Sequence, residues 1–187
     1  MNNYKMVSDG MVGRIAVTEE RWNRVKGFIE PYGGDHVEIG TLWGGTAVLT
    51  ALEKSAGYVY TIDPLTDNGY YGGVDIKLGK RPTAEDIQYN FQRFDVRRLV
   101  THVDDWSNPW PLEDQKFDTA FIDGNHSWGG VLQDFLNLKD IVLCKIIIDD
   151  YGDPNWPDTS MAVASIVLCP EWSLEYAGDG IAVLERK

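Results

Sequence analysis

Cysteine is scarce, with Cys144 and Cys169 the two examples in 187 residues. Each sits in an apolar stretch, so two buried free thiols are expected rather than a disulfide, in an intracellular setting. Long apolar runs are missing as well. None approaches the ~20 residues of a membrane span. The opening Met1-Asn2-Asn3-Tyr4-Lys5-Met6 lacks the apolar core of a secretion signal. A cytoplasmic protein that does not enter membranes is the expectation.

Positive charge is in deficit, 17 Lys and Arg against 29 Asp and Glu, for a net charge of −12. A nucleic-acid binder neutralises phosphates with clustered Lys and Arg, so no nucleic-acid partner is expected. Most of the excess acid reads as solvated surface. There is no internal repeat, no G-x-G-x-x-G dinucleotide fingerprint and no G-x-x-x-x-G-K-[ST] phosphate loop. What remains, at 43% hydrophobic and 25% charged residues, is the composition of one globular domain with a full core.

The most informative stretch is His36-Val37-Glu38-Ile39-Gly40-Thr41-Leu42-Trp43-Gly44-Gly45-Thr46. Val37 and Ile39 flank Glu38 in a strand pattern, Gly40 breaks it, and Thr46 to Glu53 reads as an amphipathic helix. A strand turning through glycines into a helix lets backbone approach a ligand beside the helix N-terminus. Glu38 stands at the strand's carboxyl end, where open α/β sheets bind their ligands.

Residues 1–17 show little pattern and read as an N-terminal extension to a single domain spanning 18–187. Thr18 is placed to cap a helix that opens with Glu19 and Glu20. That helix carries an apolar stripe of Trp22, Val25, Phe28 and Ile29, and Pro31-Tyr32-Gly33-Gly34 stops it; it is expected over an edge of the sheet or of the ligand cleft.

Further strands are expected at 58–62, 99–103, 117–122 and 144–148. Helices are expected at 84–94, at 160–168, and around Val131, Leu132, Phe135 and Leu136. Glu171–Ala177 and Ile181–Arg186, joined by Gly178-Asp179-Gly180, form a hairpin signal at the sheet edge. Alternating strand and helix gives an α/β, doubly wound sheet. The stretch Leu65–Pro82, with Gly69, Tyr70, Tyr71, Gly72, Gly73 and Gly79, reads either as a lid or binding loop or as a segment without fixed structure.

Acidic residues recur at the strand ends. Asp63 closes the second strand about 20 positions past the glycine turn, a spacing suited to ribose hydroxyls. Asp123, Asp149 and Asp150 follow the fourth and fifth strands, with no Lys or Arg partner visible in the sequence. Such carboxylates repel one another unless a hard divalent cation, Mg²⁺ or else Ca²⁺ or Mn²⁺, relieves them. His126 stands three residues past Asp123. His102, inside a strand, reads as a packed histidine.

The glycine turn, with its acidic residue and the small hydroxyl residue that opens the helix, resembles the first motif of class I S-adenosylmethionine-dependent methyltransferases. Asp123 with Asp149-Asp150 resembles the metal site of the small Mg²⁺-dependent O-methyltransferases, of the catechol type and of the macrocin and novobiocin type. Phe121-Ile122-Asp123-Gly124-Asn125-His126-Ser127 is similar to bacterial domains with an Ile-Asp-Gly-Asp-His signature. The likeness runs from about residue 18 to the C-terminus.

It implies a Rossmann-like sheet of seven strands with helices on both faces and an antiparallel C-terminal hairpin. It also implies S-adenosylmethionine held by Glu38, Gly40, Thr41, Leu42, Trp43, Thr46, Asp63 and Asp123, with Asp105 and Trp106 at the adenine corner. Two departures stand out: His126 where catechol-type enzymes carry a lysine, and Asp150 where they carry an asparagine.

The chemistry implied is O-methyl transfer to a small hydroxylated molecule, with Asp123 on the metal and His126 as the base. His126 could instead orient an aspartate or a metal-bound water. The sequence also leaves open a non-catalytic S-adenosylmethionine-binding module and a metal-dependent hydrolase or phosphotransferase using the same aspartates. Trp43, Tyr70, Tyr71, Trp128 and Tyr151 would suit an aromatic acceptor at the mouth, or pack the core. The oligomeric state is open, a homodimer included. DNA-base methylation does not fit, since Asp-Gly-Asn-His stands where those enzymes carry (Asp/Asn)-Pro-Pro-(Tyr/Phe).

Overall fold

Short apolar runs with little polar interruption build the middle of one sheet. The computed structural model describes residues 2–65, 81–97, 99–105, 107, 109–112 and 114–187. Its strands are β1 (His36–Ile39), β2 (Val59–Ile62), β3 (Val100–Val103), β4 (Phe117–Ile122), β5 (Val142–Asp149), β6 (Trp172–Gly178) and β7 (Ile181–Arg186). The seven strands lie in the order β3-β2-β1-β4-β5-β7-β6. β1 to β5 pair in parallel, whereas β7 runs antiparallel to both β5 and β6. The expected doubly wound sheet with an antiparallel edge hairpin is therefore present. Every residue of β1 is buried, as a central parallel strand covered on both faces requires.

Two apolar layers divide the helices between those faces. Val59, Phe121, Ile147 and Val183 pack against α1 (Asn3–Gly10), α2 (Glu19–Ile29), α3 (Gly45–Glu53) and α4 (Ala84–Arg93). Val37, Ile39, Ala120, Ile122, Ile146 and Ile148 pack against α5 (Trp128–Leu138) and α6 (Pro157–Ile166). The strand period of two does this sorting. Glu38, in register with Thr61 and Phe121, belongs to the first face. No helix among the described residues is long and apolar enough to cross a membrane.

Several details differ from the sequence expectations. The patternless N-terminus forms α1 and contributes Val7, Ile15 and Val17 to the first apolar layer. α2 begins where Thr18 caps it, Trp22, Val25 and Ile29 press it onto the sheet beside α3 and β5, and its first turn reaches the end of β5 through Arg21. α6 starts at Pro157, earlier than expected, because proline is well placed in a first helical turn. Leu136, assigned to the apolar face of α5, is exposed, and Leu138 takes the buried position. Both cysteines are free, as expected, but only half-buried. The glycine- and tyrosine-rich residues 66–80 lie outside the described residues.

Candidate functional site

The carboxyl edge of the parallel strands gathers most of the residues that the sequence singled out. Between β1 and α3 the chain turns through Thr41-Leu42-Trp43-Gly44, closed by Gly44 N donating to the Thr41 carbonyl at 2.7 Å. Leu42 adopts a left-handed conformation, φ 46°, uncommon for a non-glycine residue and typical of turns held by their surroundings. Asp63 is what holds this one. Its Oδ2 accepts the backbone N–H of Thr41 (3.0 Å) and of Leu42 (3.1 Å), while Oδ1 accepts that of Leu65 (2.9 Å). Thr41 Oγ1 lies 2.5 Å from Thr61 Oγ1 and 3.3 Å from His102 Nδ1, so His102 is packed behind the turn.

Thr46 and Trp43 are buried on this turn. Trp43 is wholly buried, with its carbonyl bonded by Asn90 Nδ2 at 2.9 Å, so it packs the interior rather than lining a mouth. Glu38 is buried beneath the same turn, and its Oε2 has no hydrogen-bond partner among the described residues. Burial pushes its carboxyl well above the usual range, and the charges of Asp123 and Asp63 push it further.

At the next strand ends, Asp123 follows β4 and Asp149-Asp150 close β5. His126 Nε2 lies 3.3 Å from Asp123 Oδ1 and 3.3 Å from Asp150 Oδ2. One ligand atom from each of Asp123, His126 and Asp150 falls within 4.8 Å of the others, a spacing that would admit one cation. Burial raises the Asp123 carboxyl, against the opposing pull of the nearby imidazole. Burial works to lower the His126 pKa, but the hydrogen bond and charge of Asp123, with the charge of Asp150, bring it above its ordinary value. The His126 ring packs against that of Trp156 at a tilt of 35°, centroids 4.7 Å apart.

The expectation that these carboxylates lack a cationic partner is corrected. Arg21 Nη1 stands 3.1 Å from both oxygens of Asp149 and 2.8 Å from Asp150 Oδ1. The structure thus brings Asp123, His126 and Asp150 to one point and turns Asp149 toward Arg21. The Asp149 carboxyl is still held well above the usual range, by burial first and then by Asp123.

Asp105, at the end of β3, is exposed, and Trp106 lies outside the described residues. Beside them Ser107 is clamped by α5: its Oγ donates to Asp134 at 2.6 Å and its carbonyl accepts from Asn137 Nδ2 at 2.6 Å. Burial pushes the Asp134 carboxyl up to about 6. Sequence reasoning missed Arg21, Asp134 and Trp156. Asp134 interrupts the apolar face of a helix, a pattern that could have marked it. Arg21 and Trp156 carry no such local mark. Trp128, placed at the mouth by the sequence reading, bonds Ser165 on the exposed side of α5 and α6, and Tyr151 is half-buried against the second apolar layer.

Residues 37–151 match a family described as a methyltransferase domain. The uncharacterized protein R132 of Acanthamoeba polyphaga mimivirus is 32% identical over 143 residues, which is 71% of this chain and 58% of that protein. The chain therefore spans somewhat over half the length of this relative. Among solved structures, cofactor-bound Rv0187 from MTB superposes with a TM-score of 0.73 at 18% identity, covering 98% of this chain and 87% of that one. An O-methyltransferase from Bacillus cereus in complex with SAH gives a TM-score of 0.70 at 16% identity, covering 98% and 90%. At these identities the likeness is one of fold.

Proposed function

The chain belongs to the methyltransferase-domain family, and on that premise we propose that it moves the methyl group of S-adenosylmethionine onto a hydroxyl of a small molecule, with a divalent cation, Mg²⁺ first among candidates, at the carboxylate corner. The observation that carries this reading is the position of His126, bracketed by Asp123 and Asp150 at the edge that also holds Glu38 and the glycine turn.

The fit to the cofactor rests on Glu38. A buried carboxylate oxygen without a partner, flanked by Asp63 and Asp123, suits a ligand carrying an ammonium and a sulfonium. Gly40, Thr41, Leu42 and Thr46 would lie along its amino-acid part, Asp63 near its ribose, and Asp105 with Trp106 near its adenine. The fit to the cation rests on the donor set: Asp123 and Asp150, with Asp149 behind them, supply hard oxygens suited to Mg²⁺, with Ca²⁺ or Mn²⁺ as alternatives, and His126 stands beside them as the base.

When bound, the cofactor supplies an already activated methyl group and the cation supplies charge that acidifies a neighbouring hydroxyl. The protein's own residues do the rest. The acceptor oxygen must sit in line with the methyl–sulfur bond, and fixing that alignment is what a rigid strand edge provides. The His126 imidazole, in its neutral form, takes the hydroxyl proton as the carbon–oxygen bond forms and the carbon–sulfur bond breaks. Asp123 and Asp150 both face Nε2 of the imidazole at 3.3 Å, Trp156 packs against its ring, and Thr159 Oγ1 donates to its backbone carbonyl at 3.4 Å. The excess of acid over base favours a small acceptor over a nucleic acid at this edge.

Calorimetric titration with S-adenosylmethionine, then a methyl-transfer screen on hydroxylated acceptors with Mg²⁺ or with excess chelator, tests the reading. Expected are cofactor binding in either condition and turnover only with the cation. Absence of cofactor binding would sink the proposal. Binding without turnover across the screen would leave a non-catalytic module, and full turnover in chelator would make the aspartates structural.

A further inference from the structure

Arg21 occupies an unusual place. It stands in the first turn of α2, where the helix dipole disfavours a cation and where Glu19 and Glu20 satisfy the usual preference. Its guanidinium compensates through tertiary contacts. Nη1 is shared among both oxygens of Asp149 and Oδ1 of Asp150. The guanidinium sits against Gly180 in the β6–β7 turn, so close that a Cβ there would be 2.4 Å from Nη2. Gly180 is in turn tied to the end of β5, its carbonyl accepting Tyr151 N at 3.0 Å. Three elements distant in sequence, α2, the end of β5 and the hairpin turn, thus meet on one side chain that is mostly shielded from solvent.

Asp150 is the shared component. One of its oxygens serves Arg21 at 2.8 Å, and the other faces the point that it forms with Asp123 and His126. A divalent cation at that point and the guanidinium would be like charges joined through one carboxylate, in a corner with little water to screen them. We propose that Arg21 is the resident counter-cation of this corner, and that a divalent cation binds in competition with it, so that metal occupancy and the docking of α2 on β5 oppose each other. The inference rests on the cation site proposed above. It assigns Arg21 a positioning role: without metal it holds Asp149 and Asp150 together, and it keeps metal affinity low until the corner is used.

The competition is measured by Mn²⁺ binding alone, without acceptor or turnover, followed by loss of the free-ion electron paramagnetic resonance signal. The wild type, Arg21→Gln and Arg21→Lys are compared. Arg21→Gln is expected to bind Mn²⁺ about 5–150-fold more tightly, the usual range of site-to-site coupling. Arg21→Lys keeps the charge and should stay near the wild type. Equal or weaker binding by Arg21→Gln overturns the role of Arg21 and leaves the metal site standing. No binding by any of the three removes the metal site, and this inference with it. A second readout needs only the wild type. Saturating Mn²⁺ should speed amide hydrogen exchange in the first turn of α2 and in the β6–β7 turn, and unchanged or slower exchange there overturns the proposal even if Arg21→Gln does not fold.

Discussion

Gly40 and Asp123 are packed backbone to backbone. A Cβ on Gly40 would lie 2.1 Å from the Asp123 carbonyl oxygen, while Asp123 N donates to the carbonyl of the preceding Ile39 at 2.9 Å. The glycine turn after β1 and the aspartate at the end of β4 therefore fix each other's position. Gly40 also holds φ at 97°, open to glycine and strained for other residues. Its absent side chain makes room for the backbone of Asp123 and Gly124.

Gly40→Ala should destabilise the fold by about 1–3 kcal/mol, since both the φ value and the contact oppose a side chain. It should also displace Asp123, weakening cation and cofactor binding together. Denaturant midpoints and calorimetry measure these effects. A variant as stable as the parent would show that the β4 end yields without cost.

Asp63 bridges the β1–α3 turn and the end of β2 through three backbone N–H groups. Asp63→Ala leaves those donors unpaired and removes the expected ribose partner. S-adenosylmethionine affinity should fall by about 1–3 kcal/mol in a calorimetric titration. Unchanged affinity would remove Asp63 from the cofactor site and leave it as the anchor of the turn.

His126→Ala should lower the methyl-transfer rate by about 10²–10⁴-fold with cofactor affinity near that of the parent. Only neutral imidazole accepts a proton. The parent rate should therefore climb with pH through the titration of the histidine. That climb should be missing from the variant. Near-parent rates with the same pH profile would assign proton removal elsewhere.

His36 offers a pH test of stability away from the site. It is fully buried at the start of β1, with Nδ1 2.8 Å from Thr119 Oγ1. Burial, aided by the charge of Lys54, lowers its pKa from 6.5 to about 3. Below pH 6.5 the unfolded chain takes up a proton that the folded protein refuses. Stability from this group is thus complete above pH 6.5 and declines as pH falls toward about 3, by at most about 1.4 kcal/mol per unit. Buried Glu38 and Asp149, raised instead of lowered, give the opposite slope. The His36→Gln variant, compared with its parent at pH 7 and pH 5 in urea, isolates the histidine. Its stability should fall less between those pH values than the parent's, and equal falls would show that His36 is protonated inside the fold.

Much of the architecture was legible because it is written locally. Val37 and Ile39 around Glu38, the glycine break at 40, the Thr18 cap and the Gly178-Asp179-Gly180 turn each fix a strand, a turn or a helix end through neighbours a few positions away. Strand–helix alternation then leaves few ways to wind the sheet, and the strand ends carry Glu38, Asp63, Asp123 and Asp150 to one edge. The N-terminus was not legible. α1 buries only Val7, too little to mark a helix by period, and its docking depends on α3, far along the chain.

The sequence by itself determined which residues reach the carboxyl edge, because strand length and turn position are local properties. The tertiary structure alone decided what those residues do to one another. Asp149 goes to Arg21 across 128 positions, Trp43 becomes core instead of mouth, and Asp63 spends its oxygens on the backbone of Thr41 and Leu42. Those outcomes follow from distances of a few ångströms between distant segments. Charge and hydrogen bonding act at that range, and one-dimensional spacing does not record it.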